Sequence, residues 1–238
     1  HSMDLKEEHI LGNSISEHWY YVAKGRAMRD FIGTLKSPAV LDVGAGSGIF
    51  SRQLLDAGVC ESAVCVDPNY AHEYEEQHNG KTIRFVRQIS SSSQKLALLM
   101  DVLEHVDDDT GLLRQYADMM ESGSKILITV PAFEFLWSGH DVFLGHKRRY
   151  TAGQVEALVQ RAGLRVVKTR YFFGLLFPII ALLRVRNRIR ATEPHSDLKR
   201  YPRWLNQVLI TVHDIERRLL FPLNKGAGLS VICLCEKE

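Results

Sequence analysis

Val40-Leu41-Asp42-Val43-Gly44-Ala45-Gly46-Ser47-Gly48-Ile49-Phe50 decides the fold. An apolar run takes in an acid, three glycines follow at alternate positions, and an amphipathic stretch begins at Ile49. The order is strand, tight turn, helix. Glycine serves where the backbone adopts dihedrals closed to other residues, and where a ligand must approach without meeting a Cβ. The helix behind such a turn points its free N–H groups at the same spot. A nucleotide-like ligand is the first inference.

Spacing selects the ligand. The dinucleotide fingerprint is G-x-G-x-x-G, whereas here Gly44, Gly46 and Gly48 are spaced two and two and position 49 is Ile. Asp42 would repel a pyrophosphate and suits a cationic amino-acid moiety. Beyond Gly48, the run Ala63-Val64-Cys65-Val66 ends in Asp67, where an acid holds a ribose diol. D-x-G-x-G-x-G with a ribose acid resembles the class I S-adenosylmethionine (SAM) methyltransferases. The resemblance implies cofactor contacts from Asp42, Gly44, Ala45, Gly46, Gly48, Asp67 and Pro68.

The 238 residues suit one large domain or a domain with an insertion. Hydrophobic and charged fractions of 45% and 24% are those of an ordinary globular chain. His1-Ser2 ahead of Met3 reads as a tag remnant, and the polar segment after it has no signal-peptide pattern. A cytoplasmic location is expected. Cys60, Cys65, Cys233 and Cys235 have no C-x-x-C spacing, so buried reduced thiols are expected rather than zinc or a disulfide framework. The net charge of +2 conceals an asymmetry, because residues 171–225 carry 10 Lys+Arg against 4 Asp+Glu.

Residues 4–35 read as helix with a break near Gly12-Asn13-Ser14. Their aromatics suggest a lid over the cofactor, and the resemblance implies that Tyr20 or Tyr21 and Arg26 touch the methionine carboxylate; packing of the aromatics on the sheet is the other reading. The pattern predicts a helix over Tyr70–His78, with no role for His72 or His78, and a third strand at Thr82–Val86. After that strand many relatives of this type carry an acid for the adenine amino group. Here Gln88 and the Ile89 backbone take that position. Lys95–Met100 reads as strand four and leads into Asp101-Val102-Leu103-Glu104-His105-Val106. That tip resembles small-molecule methyltransferases of the ubiquinone-biosynthesis type, which implies that Asp101, Val102 and His105 lie by the cofactor. It lacks the [DN]-P-P-[YF] tip of enzymes acting on exocyclic amines, so no nucleic-acid partner is expected. His105 reads equally as a structural histidine.

The loop 131–151 packs aromatics, two histidines, an aspartate and three bases after a strand end, where α/β folds bind ligands. It resembles a substrate loop of one methyltransferase branch. A hydroxyl nucleophile must lose its proton as it attacks, which makes His140 and His146 the general-base candidates. Arg148 and Arg149 suit an anionic group. The alternative is that these side chains tie the loop down. Then Tyr171–Leu183 runs apolar without interruption, too short to span a bilayer, and Arg184, Arg186, Arg188 and Arg190 follow at alternate positions. The segment 171–190 caps an apolar substrate pocket or lies in a membrane interface. A further amphipathic helix covers about 203–220, and Gly228–Glu236 reads as a last strand whose alternation fits a sheet edge.

The expectation is therefore an α/β doubly wound, mostly parallel seven-stranded sheet. The resemblance implies a strand order of 3-2-1-4-5-7-6. The parts are a lid (1–36), a core (37–173), a helical insertion (174–226) and a last strand (227–238). It should be a SAM-dependent methyltransferase acting, without a metal, on a small-molecule or lipid-linked hydroxyl acceptor. The alternatives are a non-catalytic SAM-binding module at a membrane or partner surface, and a NAD-binding oxidoreductase, which Ile49 and Asp42 oppose.

Overall fold

Buried strands need apolar residues on both faces, and the runs 39–43, 62–66 and 96–100 supply them. In the computed structural model, which describes residues 12–186, 193–197 and 199–238, these runs become β1 (Ala39–Val43), β2 (Ser62–Val66) and β5 (Leu96–Met100). Together with β3 (Tyr74–His78), β4 (Lys81–Val86), β6 (Lys125–Pro131), β7 (Leu164–Phe172) and β8 (Ser230–Lys237) they form one sheet in the order β3-β4-β2-β1-β5-β6-β8-β7. Strands β4, β2, β1, β5 and β6 run parallel, and β8 lies antiparallel between β6 and β7. Without β3 this is the expected order, so the fold is the doubly wound one that the glycine turn implied.

β3 is a correction. The Tyr70–His78 helix is absent; residues 74–78 instead pair antiparallel with β4. Asn79 and Gly80 both take positive φ, 51° and 78°, as an Asn-Gly two-residue hairpin requires. Tyr74 then stacks on Phe85, with centroids 4.4 Å apart and planes 7° from parallel. The last strand is a second correction. β8 is flanked on both sides and buried from Ser230 to Cys235, and β7 is the edge.

Helices cover both faces. One apolar cluster joins the sheet to α1 (Trp19–Ile32), α2 (Ile49–Asp56) and the inner side of α7 (Arg203–Leu219). The other joins it to α3 (Asp109–Met119) and α5 (Ala152–Arg161). The N-terminal helix is expected over 4–35 within the lid; residues 1–11 lie outside the described residues, Gly12–Glu17 is a 3-10 turn, and α1 starts at Trp19, capped by His18. The unbroken apolar run 171–183 divides in two. Its first residues complete β7 and its last enter α6 (Phe177–Arg186), with Phe173 at φ +60° between them. Arg188 and Arg190 lie outside the described residues. All four cysteines are buried and none forms a disulfide, and burial pushes the Cys60 and Cys233 thiols up to about 12.

Candidate functional site

Every parallel strand delivers its carboxyl end to one edge of the sheet, and the quoted motifs sit at those ends. After β1, Gly44, Gly46 and Gly48 all take positive φ. A Cβ on Gly44 would lie 2.7 Å from Val102 Cγ2, so that close approach excludes any side chain. Ala45 is buried at the turn, and the Tyr70 hydroxyl donates to the Gly46 carbonyl at 2.7 Å. Asp42 is buried and accepts from Ser51 Oγ at 2.7 Å, which ties β1 to the first turn of α2.

Asp67 follows β2. Its Oδ1 accepts from Asn69 N and Nδ2, both at 2.9 Å, while Oδ2 is buried with no hydrogen-bond partner. A buried polar atom left unpaired is costly, and this one lies where a ribose hydroxyl would donate. Pro68 beside it is exposed, as is Gln88, and Ile89 is half-buried. The Asp67 amide donates to the Val86 carbonyl at 3.1 Å, which keeps the β2 and β4 tips adjacent.

After β5, Asp101 takes φ +56°. Its carboxylate is buried, pairs with the Nζ of the fully buried Lys24 and accepts from Thr129 Oγ1 at 3.1 Å. Tyr20 stacks on Phe173 and places its hydroxyl 3.5 Å from the same carboxylate. Lys24 was missed by the sequence reading. Its signal is a lysine four residues after Tyr20, on the helix face that the aromatics share. Arg26, expected at the methionine carboxylate, points elsewhere. It pairs with Asp214 on α7, outside the cleft described below.

The 131–151 loop is built around one acid. Asp141, on α4 (Gly139–Leu144), is fully buried. It closes a capping box with Ser138, accepts from His146 Nδ1 at 2.8 Å, and takes a two-pronged bond from Arg149 Nε and Nη2 at 2.8 and 2.9 Å. Burial opposes its charge, but the His146 hydrogen bond and the Arg149 guanidinium outweigh burial and hold its carboxyl well below the usual range. Arg149 is therefore spent on Asp141 and on the Ala132 carbonyl rather than free to clamp an acceptor anion. Arg148 is likewise engaged, with Asp109 and the Val106 and Asp107 carbonyls. His146 Nε2 is buried without a hydrogen-bond partner, 3.9 Å from Glu104 Oε1. The His105 and His146 rings meet edge-on at 4.8 Å. Burial and His146 lower the His105 pKa to about 4. Burial and Asp101 raise that of the fully buried Glu104, so it holds its proton well above the usual range. Among the described residues, Glu104, His105 and His146 each bring one potential ligand atom within 4.8 Å of the others, a grouping the sequence reading did not foresee. His140 Nδ1 accepts from Asp197 N at 3.2 Å, and burial lowers its pKa to about 4.

Tyr20, Asp101, Glu104, His140, His146 and Arg149 line a cleft of about 690 Å³. Leu136, Leu176, Ile180, Leu183, Leu205 and Leu209 line it too, with Arg184 and Asp197 among them. A family model described as a methyltransferase domain matches residues 19–169. The chain belongs to the methyltransferase-domain family. In this class of methyltransferase the methyl group comes from SAM, and the residues fit that cofactor: a crowded glycine turn, an orphaned Asp67 oxygen and the Asp101 tip stand along one edge.

Among curated relatives, the ubiquinone biosynthesis O-methyltransferase of Coxiella burnetii is 28% identical over 105 residues. The match covers 40% of this chain and 44% of that protein, so it spans less than half the relative's length. A SAM-dependent methyltransferase from Archaeoglobus fulgidus has the same fold with TM-score 0.54 and 18% identity, over 98% of this chain and 99% of that one. The phosphoethanolamine N-methyltransferase 2 of Haemonchus contortus, solved with SAM, gives TM-score 0.56 at 15% identity, over 97% of this chain and 55% of that one.

Proposed function

We propose that this methyltransferase transfers a methyl group to a hydroxyl of an amphiphilic, small-molecule or lipid-linked acceptor. The observation that carries this reading is the cleft itself, which brings the polar groups of the strand tip and the 131–151 loop together with apolar side chains of α6 and α7. An acceptor that fits it places a polar head by His140 and His146 and an apolar body against α6 and α7. The N-terminal helix acts as lid, and 174–226 caps the acceptor.

When bound, SAM supplies a methyl group already activated on a sulfonium. Asp67 Oδ2 accepts from the ribose, the glycine turn admits the cofactor's backbone-facing edge, and Gln88 and Ile89 flank the adenine. Tyr20 and the Lys24–Asp101 pair close the methionine side. His146 is the general base. Asp141 accepts the Nδ1 proton, which leaves Nε2 as the ring's acceptor atom. Nε2 takes the proton from the acceptor hydroxyl as that oxygen becomes nucleophilic. Asp141, held ionised by Arg149, stabilises the imidazolium that results. His140 lines the same cleft as the second candidate, but its bond to the Asp197 amide commits Nδ1 as acceptor.

The test incubates the protein with methyl-labelled SAM and a panel of long-chain phenols and polyprenol-type alcohols. Alkali-stable, solvent-extractable label is expected, reduced about 100-fold or more in His146→Gln. Label on nitrogen or carbon alone, or transfer indifferent to His146→Gln and lost in His140→Gln, overturns the assignment.

A further inference from the structure

The insertion has two sides, and the cleft uses one. α7 also carries a second apolar stripe. Trp204, Val208, Ile215 and Leu219 recur at helical spacing on its outer side, with Trp204 68% and Leu219 67% exposed. α6 has no fully buried residue, and its Ile179, Leu182 and Val185 are all more than half exposed. Leu223, just past α7, is 80% exposed. Large apolar side chains scattered singly on a surface need no explanation, but clustering of this kind marks an interaction site. No described helix is long and apolar enough to cross a membrane.

Charge identifies the occupant. Arg186, Lys199, Arg200, Arg203, Arg218 and Lys225 are exposed and have no acidic partner among the described residues. The acids of the same segment are mostly spent. Asp197 pairs with Arg184, Asp214 with Arg26 and Arg217, and Glu216 is fully buried against His213. Exposed apolar side chains interspersed with unpaired cations fit an anionic surface. A second copy of the chain fits badly, because a two-fold contact sets the same patch against itself and brings the unpaired cations together.

We propose that the outer faces of α6 and α7 dock on an anionic lipid bilayer. Resting on the amphiphilic-acceptor reading, this deepens it. Ile180 and Leu183 of α6, and Leu205 and Leu209 of α7, line the cleft, so the helices that touch the bilayer also wall the acceptor site. An acceptor tail passes from lipid to cleft along apolar surface.

The experiment uses vesicles of phosphatidylglycerol with phosphatidylcholine, vesicles of phosphatidylcholine alone, and the whole protein. Trp204 is the exposed reporter of the three tryptophans, since Trp19 is buried and Trp137 half-buried. Expected results are flotation with the anionic vesicles, a blue shift of emission that Trp204→Phe abolishes, and weakening by salt. The double variant Val208→Ser/Leu219→Ser should partition at least about tenfold more weakly while binding SAM as wild type does. No flotation with anionic vesicles, equal binding to neutral ones, or binding undiminished in the double variant overturns the proposal. So does a concentration-dependent dimer that the double variant abolishes, because the face is then a contact between copies. SAM affinity reports separately on the functional reading: its loss in wild type sinks that reading, whatever the vesicles show.

Discussion

Asp67→Asn should weaken cofactor binding while leaving the ligand-free stability nearly unchanged. Asparagine keeps an oxygen where Oδ1 accepts from Asn69 N and Nδ2, and replaces the orphaned Oδ2 with an NH₂ that cannot accept. A hydrogen bond to a charged group contributes about 1.5–3 kcal/mol. At about 1.4 kcal/mol per factor of ten, losing one raises the Kd for SAM about 10- to 150-fold. The free protein exchanges one unpaired buried group for another. The NH₂ stands where the carboxylate oxygen found no partner and has no acceptor there, so the cost of about 1–3 kcal/mol for a buried unsatisfied group stays. For a domain of this size each kcal/mol is about 2–4 °C in Tm. The ligand-free Tm should therefore move by no more than about 2 °C, while the stabilisation by saturating SAM shrinks. Calorimetric titration with SAM and S-adenosylhomocysteine, paired with thermal denaturation, reads both quantities. An unchanged Kd would refute the ribose assignment. A falling ligand-free Tm with a weakened Kd would mean that Asp67 serves the turn rather than the ligand.

Two further predictions concern buried charge. Lys24→Met leaves Asp101 buried without its partner, which should cost about 3–5 kcal/mol; Lys24→Met/Asp101→Leu should recover most of the loss in chemical denaturation, and failure to recover would mean that the pair does not act as a unit. His105 and His140 are held near 4, below the ordinary histidine value. Between those values the unfolded chain binds protons that the fold refuses, so their contribution is full at neutral pH and is lost as pH falls from about 6.5 toward 4, by about 3 kcal/mol each. Glu104, whose proton is retained above the usual range, works in the opposite sense. The difference in stability between wild type and His140→Asn isolates the histidine: it should shrink as pH drops, and a difference constant across pH would refute the assignment.

The parts of the fold that could be read from sequence were those with one physical solution. Alternate glycines after an apolar run admit a strand, turn and helix, and the acid ending the next strand marks its partner. The Tyr70–His78 error came from weighing residue type over turn chemistry, because Asn79-Gly80 was a hairpin signal in plain view. The edge assignment for the last strand failed because alternation alone does not tell a flanked strand from an edge one. In the candidate site, residue type singles out His146 in the sequence, but nothing there announces its pairing with Asp141. Both residues lie in a loop whose backbone path is set by that very carboxylate, so no periodicity announces it. Arg26 was misplaced because helix phase puts Lys24, two residues earlier, on the inward side.

The first helix meets the last. Trp19 N donates to Asn206 Oδ1 at 2.8 Å, Asn206 Nδ2 returns a bond to the Glu17 carbonyl at 2.8 Å, and Arg26 and Asp30 pair with Asp214 and Arg217. These partners lie more than 180 residues apart in sequence. On the ribosome, α1 leaves the exit tunnel more than 180 residues ahead of its partners on α7 and must wait until α7 exists to receive it. Such distant pairings form late and slowly. A nascent chain can therefore pair β1 to β6 and form its glycine turn while the lid still hangs open, and the site closes only after α7 has emerged, shortly before β8 enters the sheet between β6 and β7.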